Sequence, residues 1–182
     1  MKSIDEMLDA VAKNLHAATP ENVHIKKEKK PELNIVKSDP KLHSIPQYDK
    51  MTLNLAKEMA YAIEKAAEQI GVNIVIAVMD GGANLVLLHA MDGSFIASIQ
   101  VAQDKAYTAA ALKMPTHEAL KKSRGGDLDG LTNGNGIMLI GGGEPLIKGE
   151  RLFGSVGVSG GTKEQDMLLA KIGAEYFRRR IK

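Results

Sequence analysis

Glycine is concentrated in one stretch of this 182-residue chain. Thirteen of the eighteen glycines lie between Gly125 and Gly161, and they include the segments GGGEPL (141–146) and GVSGGT (157–162). Glycine is used where the backbone needs positive φ or approaches another group closely, and it costs roughly 0.5–1 kcal/mol relative to Ala inside regular structure. Because short β-branched runs flank these glycines, the pattern predicts tight strand turns around a concave binding surface.

The composition predicts one globular domain of ordinary size, with 44% hydrophobic residues and a net charge of +2. No basic face interleaved with aromatic residues is present, which argues against nucleic-acid binding. The absence of cysteine excludes disulfides, thiolate zinc sites and cysteine nucleophiles. The first residues alternate charged and apolar side chains, and no run approaches the roughly 20 apolar residues of a membrane span. A soluble, cytoplasmic protein is expected.

The chain divides into three parts. Residues 1–18 contain an amphipathic helix at 3–18, in which Ser3 and Glu6 match a capping box. One stripe of that helix is apolar: Ile4, Met7, Leu8, Val11 and Leu15. Residues 19–49 contain four prolines and a lysine-rich run, which predicts a semi-extended linker. Residues 50–182 form an α/β domain of the α+β type.

The elements of this domain follow from apolar periodicity and turn residues. Helices are predicted at Leu53–Ile70, 94–113, 116–123 and 163–180, and strands at 73–80, 85–91, 137–140, 152–158 and, more weakly, 146–147.

Turn and cap residues fix how these elements connect. Gly71 ends the first helix, Thr116 is the predicted N-cap of the short helix, and Thr162 with Gln165 forms a capping box for the last one. The sequence GGAN (81–84) joins the first two strands in a hairpin. Since both of these strands are apolar on both faces, the sheet is expected to be covered on each side. Short connections favour an antiparallel sheet between helices.

The glycine turn before the last helix allows two interpretations. Residues 157–161 match the G-x-S-x-G nucleophile elbow around Ser159, but the last histidine is His117, so no histidine follows the serine as a hydrolase requires. A turn into the helix is the better interpretation. The amides of Gly160, Gly161 and Thr162 are candidates for binding a carboxylate or phosphate. In the alternative interpretation, Thr162 caps its own helix and nothing more.

The other candidate ligand residues do not form pairs with the spacing of a known ligand motif. The five histidines form no HxH or HExxH pair, so a preformed zinc site is not predicted. His89, on a strand, and His117, in a short helix, are each either a metal or haem ligand or an ordinary core or surface residue. Tyr107 and Thr108, on an alanine-rich helix, serve either a ligand or helix packing. Residues 125–136, rich in Gly and Asn, predict a flexible lid.

Four motifs in order resemble those of a known family: MDG (91–93), KAYTA (105–109), GGGEPL (141–146) and GVSG (157–160). With them, residues 51–180 resemble the GlcG/HbpS family, which includes the C-terminal domain of PduO-type corrinoid adenosyltransferases. The resemblance implies a profilin-like fold, in which an antiparallel five-stranded sheet is flanked by helices. It also implies homo-oligomers, and haem binding in some members.

The resemblance also implies candidate haem contacts. Where a threonine on the second helix is implicated in the family, Thr108 is the match. Other members use a histidine near the first helix, and Leu53–Ile70 contains none. If a haem-type ligand binds, Thr108 or His89 is expected near the iron and the propionates near the amides of Gly160, Gly161 and Thr162. Tyr107 is a further candidate for binding the cofactor.

The N-terminal part resembles the encapsulation peptides that carry cargo into bacterial microcompartments. Residues 3–18 would then bind a shell or cargo protein in the microcompartment lumen, whereas the alternative is packing against the chain's own domain or a sister subunit. Three functions follow: a non-catalytic domain that binds haem or a corrinoid, a microcompartment cargo or adaptor protein without a cofactor, and an enzyme of small-carboxylate or cofactor metabolism. No nucleophile–base or acid–base pair is legible, so the enzyme ranks last.

Overall fold

The computed structural model describes residues 50–131 and 135–181, which form four helices and one four-stranded antiparallel sheet. The helix predicted at 3–18 and the linker at 19–49 lie outside the described residues. In chain order the elements are α1 (Leu53–Ile70), β1 (Val75–Asp80), β2 (Leu85–Ala90), α2 (Ala97–Leu112), α3 (Thr116–Lys122), β3 (Gly143–Lys148), β4 (Arg151–Ser159) and α4 (Lys163–Arg180). The predicted fold class is confirmed, with four strands in the described ranges where the resemblance implied five.

The sheet has the order β2-β1-β4-β3, so β1 and β4 are central. Val75 of β1 lies opposite Ala90 on one side and Ser159 on the other, which sets the register. β1 is buried along almost its whole length, as predicted. The same expectation is wrong for β2, where Leu85 and Leu88 are 47% and 36% exposed. The reason is position, because β2 is an edge strand and the described chain offers it no further neighbour.

The core lies in two unequal layers. The larger one fills the space between the sheet and the helices α1 and α4, and Phe153 and Phe177 meet there with ring centroids 5.6 Å apart. The smaller one packs Val75, Ala77 and Met79 against Ala102 and Ala106 of α2. No helix within the described ranges is both long enough and apolar enough to cross a membrane.

A glycine on β4 allows α2 to lie unusually close to the sheet. A Cβ built on Gly157 would lie 2.6 Å from the backbone nitrogen of Ala106 and would overlap the carbonyl oxygen of Ala102. The α2 backbone therefore rests directly on β4. This contact explains both the alanine-rich face of α2 and the absence of a side chain at position 157.

Helix ends follow the predicted chemistry in two of three cases. Gly71 ends α1 with φ 68°, and its amide donates to the carbonyls of Ala67 and Glu68. Thr162 and Gln165 form the capping box of α4. The prediction for Thr116 is wrong, because Pro115 occupies the N-cap position of α3. The Thr116 hydroxyl instead donates to Ile140 O at 2.6 Å and accepts from Gly143 N at 3.0 Å.

The strand predicted at 137–140 is reduced to a single bridge residue, Ile137, and the weaker strand predicted at 146–147 extends over all of β3. Backbone groups around residue 138 bind threonine hydroxyls rather than a neighbouring strand: Met138 N donates to Thr108 Oγ1 at 2.7 Å. β3 contains Pro145, which lacks a backbone donor, and an edge strand tolerates this residue. Local β propensity was thus overruled by contacts with α2 and α3.

Candidate functional site

His89 lies on β2 opposite Ile76, on the sheet face covered by α1 and α4. Its Nδ1 is 2.7 Å from Oε1 of Glu64 on α1, and the histidine side chain is 41% exposed. An ionised carboxylate accepts only, so Nδ1 is the donor in this contact, and in a neutral imidazole Nε2 is then the nitrogen with the lone pair. Nε2 has no hydrogen-bond partner among the described residues. A histidine oriented by a carboxylate in this way is the usual form of a metal-ligating imidazole.

Thr108 lies on the opposite side of the sheet and is fully buried. Its hydroxyl donates to Asp104 O at 2.7 Å and accepts from Met138 N at 2.7 Å. The oxygen therefore fastens the segment after Gly136 to α2. Tyr107, beside it, is 38% exposed and lies under Gly136, where an added Cβ would be 3.4 Å from the tyrosine ring.

The turn formed by Gly160, Gly161 and Thr162 borders a shallow cavity of about 480 Å³ together with Asn73 and Phe95. Its amides already have partners within the chain. Gly161 N donates to Asp166 Oδ1 at 2.9 Å, and Thr162 N donates to Gln165 Oε1 at 2.8 Å. An external anion would have to displace these α4 side chains.

The predicted site residues do not converge on one place. His89 faces α1, whereas Thr108 belongs to α2 on the other sheet face. The glycine turn lies near the start of α2, where Ser159 Oγ is 3.3 Å from Ser98 Oγ. Ser98 and Thr108 are ten positions apart on α2, about 15 Å along the helix axis. The glycine turn therefore does not lie beside Thr108. His89 and Thr108 themselves lie on opposite faces of the sheet.

The sequence analysis missed a buried ion pair. Lys105 Nζ lies 2.7 Å from Asp166 Oδ2 and donates to Val158 O at 2.8 Å, and the two side chains are 1% and 6% exposed. Burial lowers the pKa of Lys105 and raises the pKa of Asp166, while the attraction between them opposes both shifts. The available signal was a lysine on the alanine face of α2, one residue before Ala106.

A second group of titratable side chains lies between α3 and α4. Glu144 of β3 is 6% exposed, and burial raises its pKa to about 7 against the opposing charges of Lys171 and Arg178. His117 Nδ1 is buried and has no hydrogen-bond partner within the described part of the chain. Within residues 50–131 and 135–181, no cluster of three or more His, Cys, Asp or Glu side chains is arranged to hold a metal ion.

Comparison with known proteins settles the family. The model of the HbpS-like family, described as haem degrading protein HbpS-like, matches residues 51–175, well over half of the chain. The chain belongs to the HbpS-like family. The resemblance drawn from the four motifs is thereby confirmed.

Relatives of this HbpS-like chain include an uncharacterised 15.0 kDa protein of the dhaT–dhaS intergenic region of Citrobacter freundii, 44% identical over 70% of this chain and 92% of that protein. The corrinoid adenosyltransferase PduO of the same organism is 32% identical over 63% of this chain, which spans 35% of PduO. A crystal structure of a PduOC–haem complex has 28% identity and a TM-score of 0.66, covering 70% of this chain and 94% of that one.

Proposed function

We propose that this HbpS-like protein is a non-catalytic ligand-binding protein that binds haem, with His89 as the residue that would hold the iron. Two findings support haem as the ligand: the description of the family as HbpS-like haem degrading proteins, and the haem complex of the structurally similar PduOC. A corrinoid is the alternative, since the chain is also related to a corrinoid adenosyltransferase.

The observation that carries the proposal is the contact between His89 and Glu64. Histidine is a common proximal ligand of haem iron, and a carboxylate on its other nitrogen fixes the ring and raises its basicity. Here Nδ1 lies 2.7 Å from the Glu64 carboxylate, and the histidine side chain is 41% exposed. α1 contains no histidine, yet Glu64 holds one from β2 against it. The residues present therefore fit a histidine-ligated haem.

The other predicted contacts fit less well. The Thr108 hydroxyl already makes two short hydrogen bonds, and the amides of Gly161 and Thr162 are bonded to α4 side chains. The proposal therefore assigns neither the iron to Thr108 nor the propionates to the glycine turn. Bound haem would supply an iron centre with a strong Soret absorption. The chain's part is to hold that iron through His89 and to orient the imidazole through Glu64.

The test is a titration of the purified chain with haemin, followed by the Soret band, with cobalamin titrated in parallel. His89→Ala should remove or strongly shift the band of the complex. Glu64→Gln should shift it less, because the imidazole remains but its second nitrogen loses an ionised partner. Thr108→Val is the matched control and should leave the band unchanged.

The outcomes separate the ligand from its contact. No haemin binding by the native chain would end the haem proposal, and saturable binding of cobalamin alone would establish the corrinoid alternative. A band that survives His89→Ala but shifts in Thr108→Val would return the iron to α2. Melting curves of all variants show whether a lost band reflects lost ligation or lost folding.

We propose further that residues 3–18 direct the chain to a microcompartment lumen. Support comes from the apolar stripe through Leu8 and from the relation to PduO. An amphipathic helix binds a groove through such a stripe. Residues 1–20 fused to a fluorescent protein should form puncta in cells that make the cognate shells, and Leu8→Glu should disperse them. Diffuse fluorescence with the native peptide would leave the helix as a packing element.

We also propose that the domain is a homo-oligomer. Three side chains at the start of α2 are apolar and exposed, with Phe95 at 70%, Ile96 at 87% and Ile99 at 37%. Burial of such side chains against a second copy is worth roughly 25 cal/mol per Å². Light scattering should give a multiple of the 19.6 kDa chain mass, and Ile96→Glu should reduce it. A native monomer at high concentration would contradict this proposal.

A further inference from the structure

A groove runs between α3 and α4, away from His89. It consists of two cavities of about 570 and 550 Å³ that share His117 and Lys171. We call it the α3–α4 groove. In the larger cavity an apolar floor is formed by Leu120 of α3 and by Met167 and Leu168 of α4. Volumes of this size match those of small-molecule sites.

The walls of the larger cavity are strongly cationic. Lys121, Arg124, Lys163 and Lys171 line it against a single carboxylate, Glu164. Glu164 lies 3.9 Å from Lys163, while the other three cations make no ion pair with any described residue. Because the whole chain carries a net charge of only +2, this is a local concentration of charge rather than a general basicity. Such a cleft attracts anions.

His117 lies where the two cavities meet, since its side chain lines both of them. His117 Nδ1 is buried and unpartnered among the described residues. Burial lowers the pKa of His117, and the charges of Lys171, Lys121 and Lys163 act in the same direction. The ring is therefore neutral near pH 7, able to donate one hydrogen bond without adding charge. A buried polar atom without a partner is unusual in folded proteins and calls for an explanation.

We propose that the α3–α4 groove binds a small organic anion of at least two negative charges, held by Arg124 and Lys171, with its carbon skeleton on Leu120 and Met167. The ligand contacts the His117 side chain and neutralises the cationic walls. Two kinds of compound share this chemistry, organic phosphates and organic polycarboxylates. The proposal is independent of haem, since it rests on a different part of the molecule.

Carboxyl groups in the second cavity limit the negative charge that this end of the ligand can carry. Glu118, Glu144 and Glu175 line it together with Lys171 and Arg178. Glu144 is partly protonated near neutral pH, since burial raises its pKa to about 7. A protonated carboxyl donates a hydrogen bond. A neutral hydroxyl or amide of the ligand suits this end, and the charged groups lie toward Arg124.

The experiment uses calorimetric titration of the full chain without haem. The probes are inorganic pyrophosphate, citrate and 1-naphthyl phosphate, each at low salt and again at higher salt. The test variant is Arg124→Gln with Lys171→Gln. The matched control is Lys57→Gln with Lys65→Gln, which removes the same charge from α1.

Binding weakened about tenfold or more in the test variant and unchanged in the control would support the proposal. 1-Naphthyl phosphate should bind more tightly than pyrophosphate because it also covers the apolar floor. Tighter binding of citrate than of pyrophosphate would assign the ligand to the polycarboxylates, and the reverse to the phosphates. No saturable binding of any probe, or equal loss in both double variants, would overturn the proposal.

Discussion

At the residue scale, the pair of Lys105 and Asp166 ties three elements together. Lys105 belongs to α2, its ammonium donates to Val158 O on β4, and Asp166 lies in the first turn of α4. Asp166 also accepts from Gly161 N, so the same carboxylate holds the turn that connects β4 to α4. Removing one member of a buried pair leaves an uncompensated charge, which is costlier than removing both.

Lys105→Met should therefore lower the free energy of unfolding by about 3–5 kcal/mol. Adding Asp166→Asn should recover part of this loss, because the amide is neutral and its oxygen still accepts from Gly161 N. Urea denaturation of the two variants and the native chain measures both effects. A single variant within about 1 kcal/mol of the native chain would show that the pair contributes little.

Glu144 makes stability depend on pH in the direction opposite to a salt-bridged acid. Its pKa of about 7 in the folded chain lies above its ordinary value of 4.5, so the folded chain binds the proton more tightly than the unfolded one. The free energy of unfolding should fall as pH rises from about 4.5 through about 7, by at most about 3 kcal/mol from this group. Glu144→Gln should remove the part of this decrease in the free energy of unfolding that comes from Glu144.

The measurement compares urea denaturation at pH 5 and pH 8. Other groups titrate in this range as well, so the informative quantity is the difference between native and variant slopes. Glu118→Gln is the matched control, since Glu118 lines the same cavity but is exposed. Equal pH dependence in Glu144→Gln and the native chain would contradict the assignment.

At the scale of elements, the contact of α2 with β4 sets the thickness of the smaller core layer. The α2 residues Ala102 and Ala106 are fully buried against Gly157, and no side chain separates the two backbones. Close-packed regions of this kind do not absorb added volume without moving backbone.

Gly157→Ala should destabilise the chain by about 1–3 kcal/mol or more, because the methyl group would overlap the Ala102 carbonyl. Gly82→Ala is a suitable comparison, since the nearest atoms to its added Cβ are side-chain atoms of Asn84 and Asp80. Thermal melting of both variants distinguishes them. Similar melting temperatures would mean that α2 shifts away from the sheet at little cost.

The sequence predicted those elements whose signals are local. α1 and α4 begin and end at the predicted residues because caps and periodicity lie within a few positions of each other. The strand expected at 137–140 failed because hydroxyls of Thr108 and Thr116, distant in sequence, take its backbone groups. Local propensity gives no information about such partners.

The same limit applies to the candidate sites. His89 was a predicted ligand, but Glu64 lies 25 positions away on a helix whose rotation against the sheet is not encoded locally. Lys105 and Asp166 are 61 positions apart. Single candidate residues could be predicted from the sequence. Interacting pairs could be recognised only in the structure, where the fold brings their members together.

At the scale of the whole molecule, the described residues beyond position 50 form both core layers among themselves. Met51 is 4% exposed and already belongs to the larger layer. We therefore expect deletion of residues 1–49 to leave circular dichroism unchanged and to shift the melting temperature by no more than about 4–8 °C, the equivalent of about 1 kcal/mol. Loss of soluble folded protein on this deletion would show that the N-terminal residues belong to the core.

Two threonine side chains, which we call the threonine clamps, attach residues 138–143 to α2 and α3. The Thr108 hydroxyl on α2 accepts a hydrogen bond from Met138 N, and the Thr116 hydroxyl on α3 accepts one from Gly143 N. We expect the hydrogens of these two amides to exchange with deuterated solvent only when the clamps open. Their exchange rates should therefore report on the unit that contains both helices. The glycines between the two threonine clamps cannot vary freely, because a Cβ added at Gly141 or Gly142 would lie within 2.7 Å of Met167 or of Val158 O.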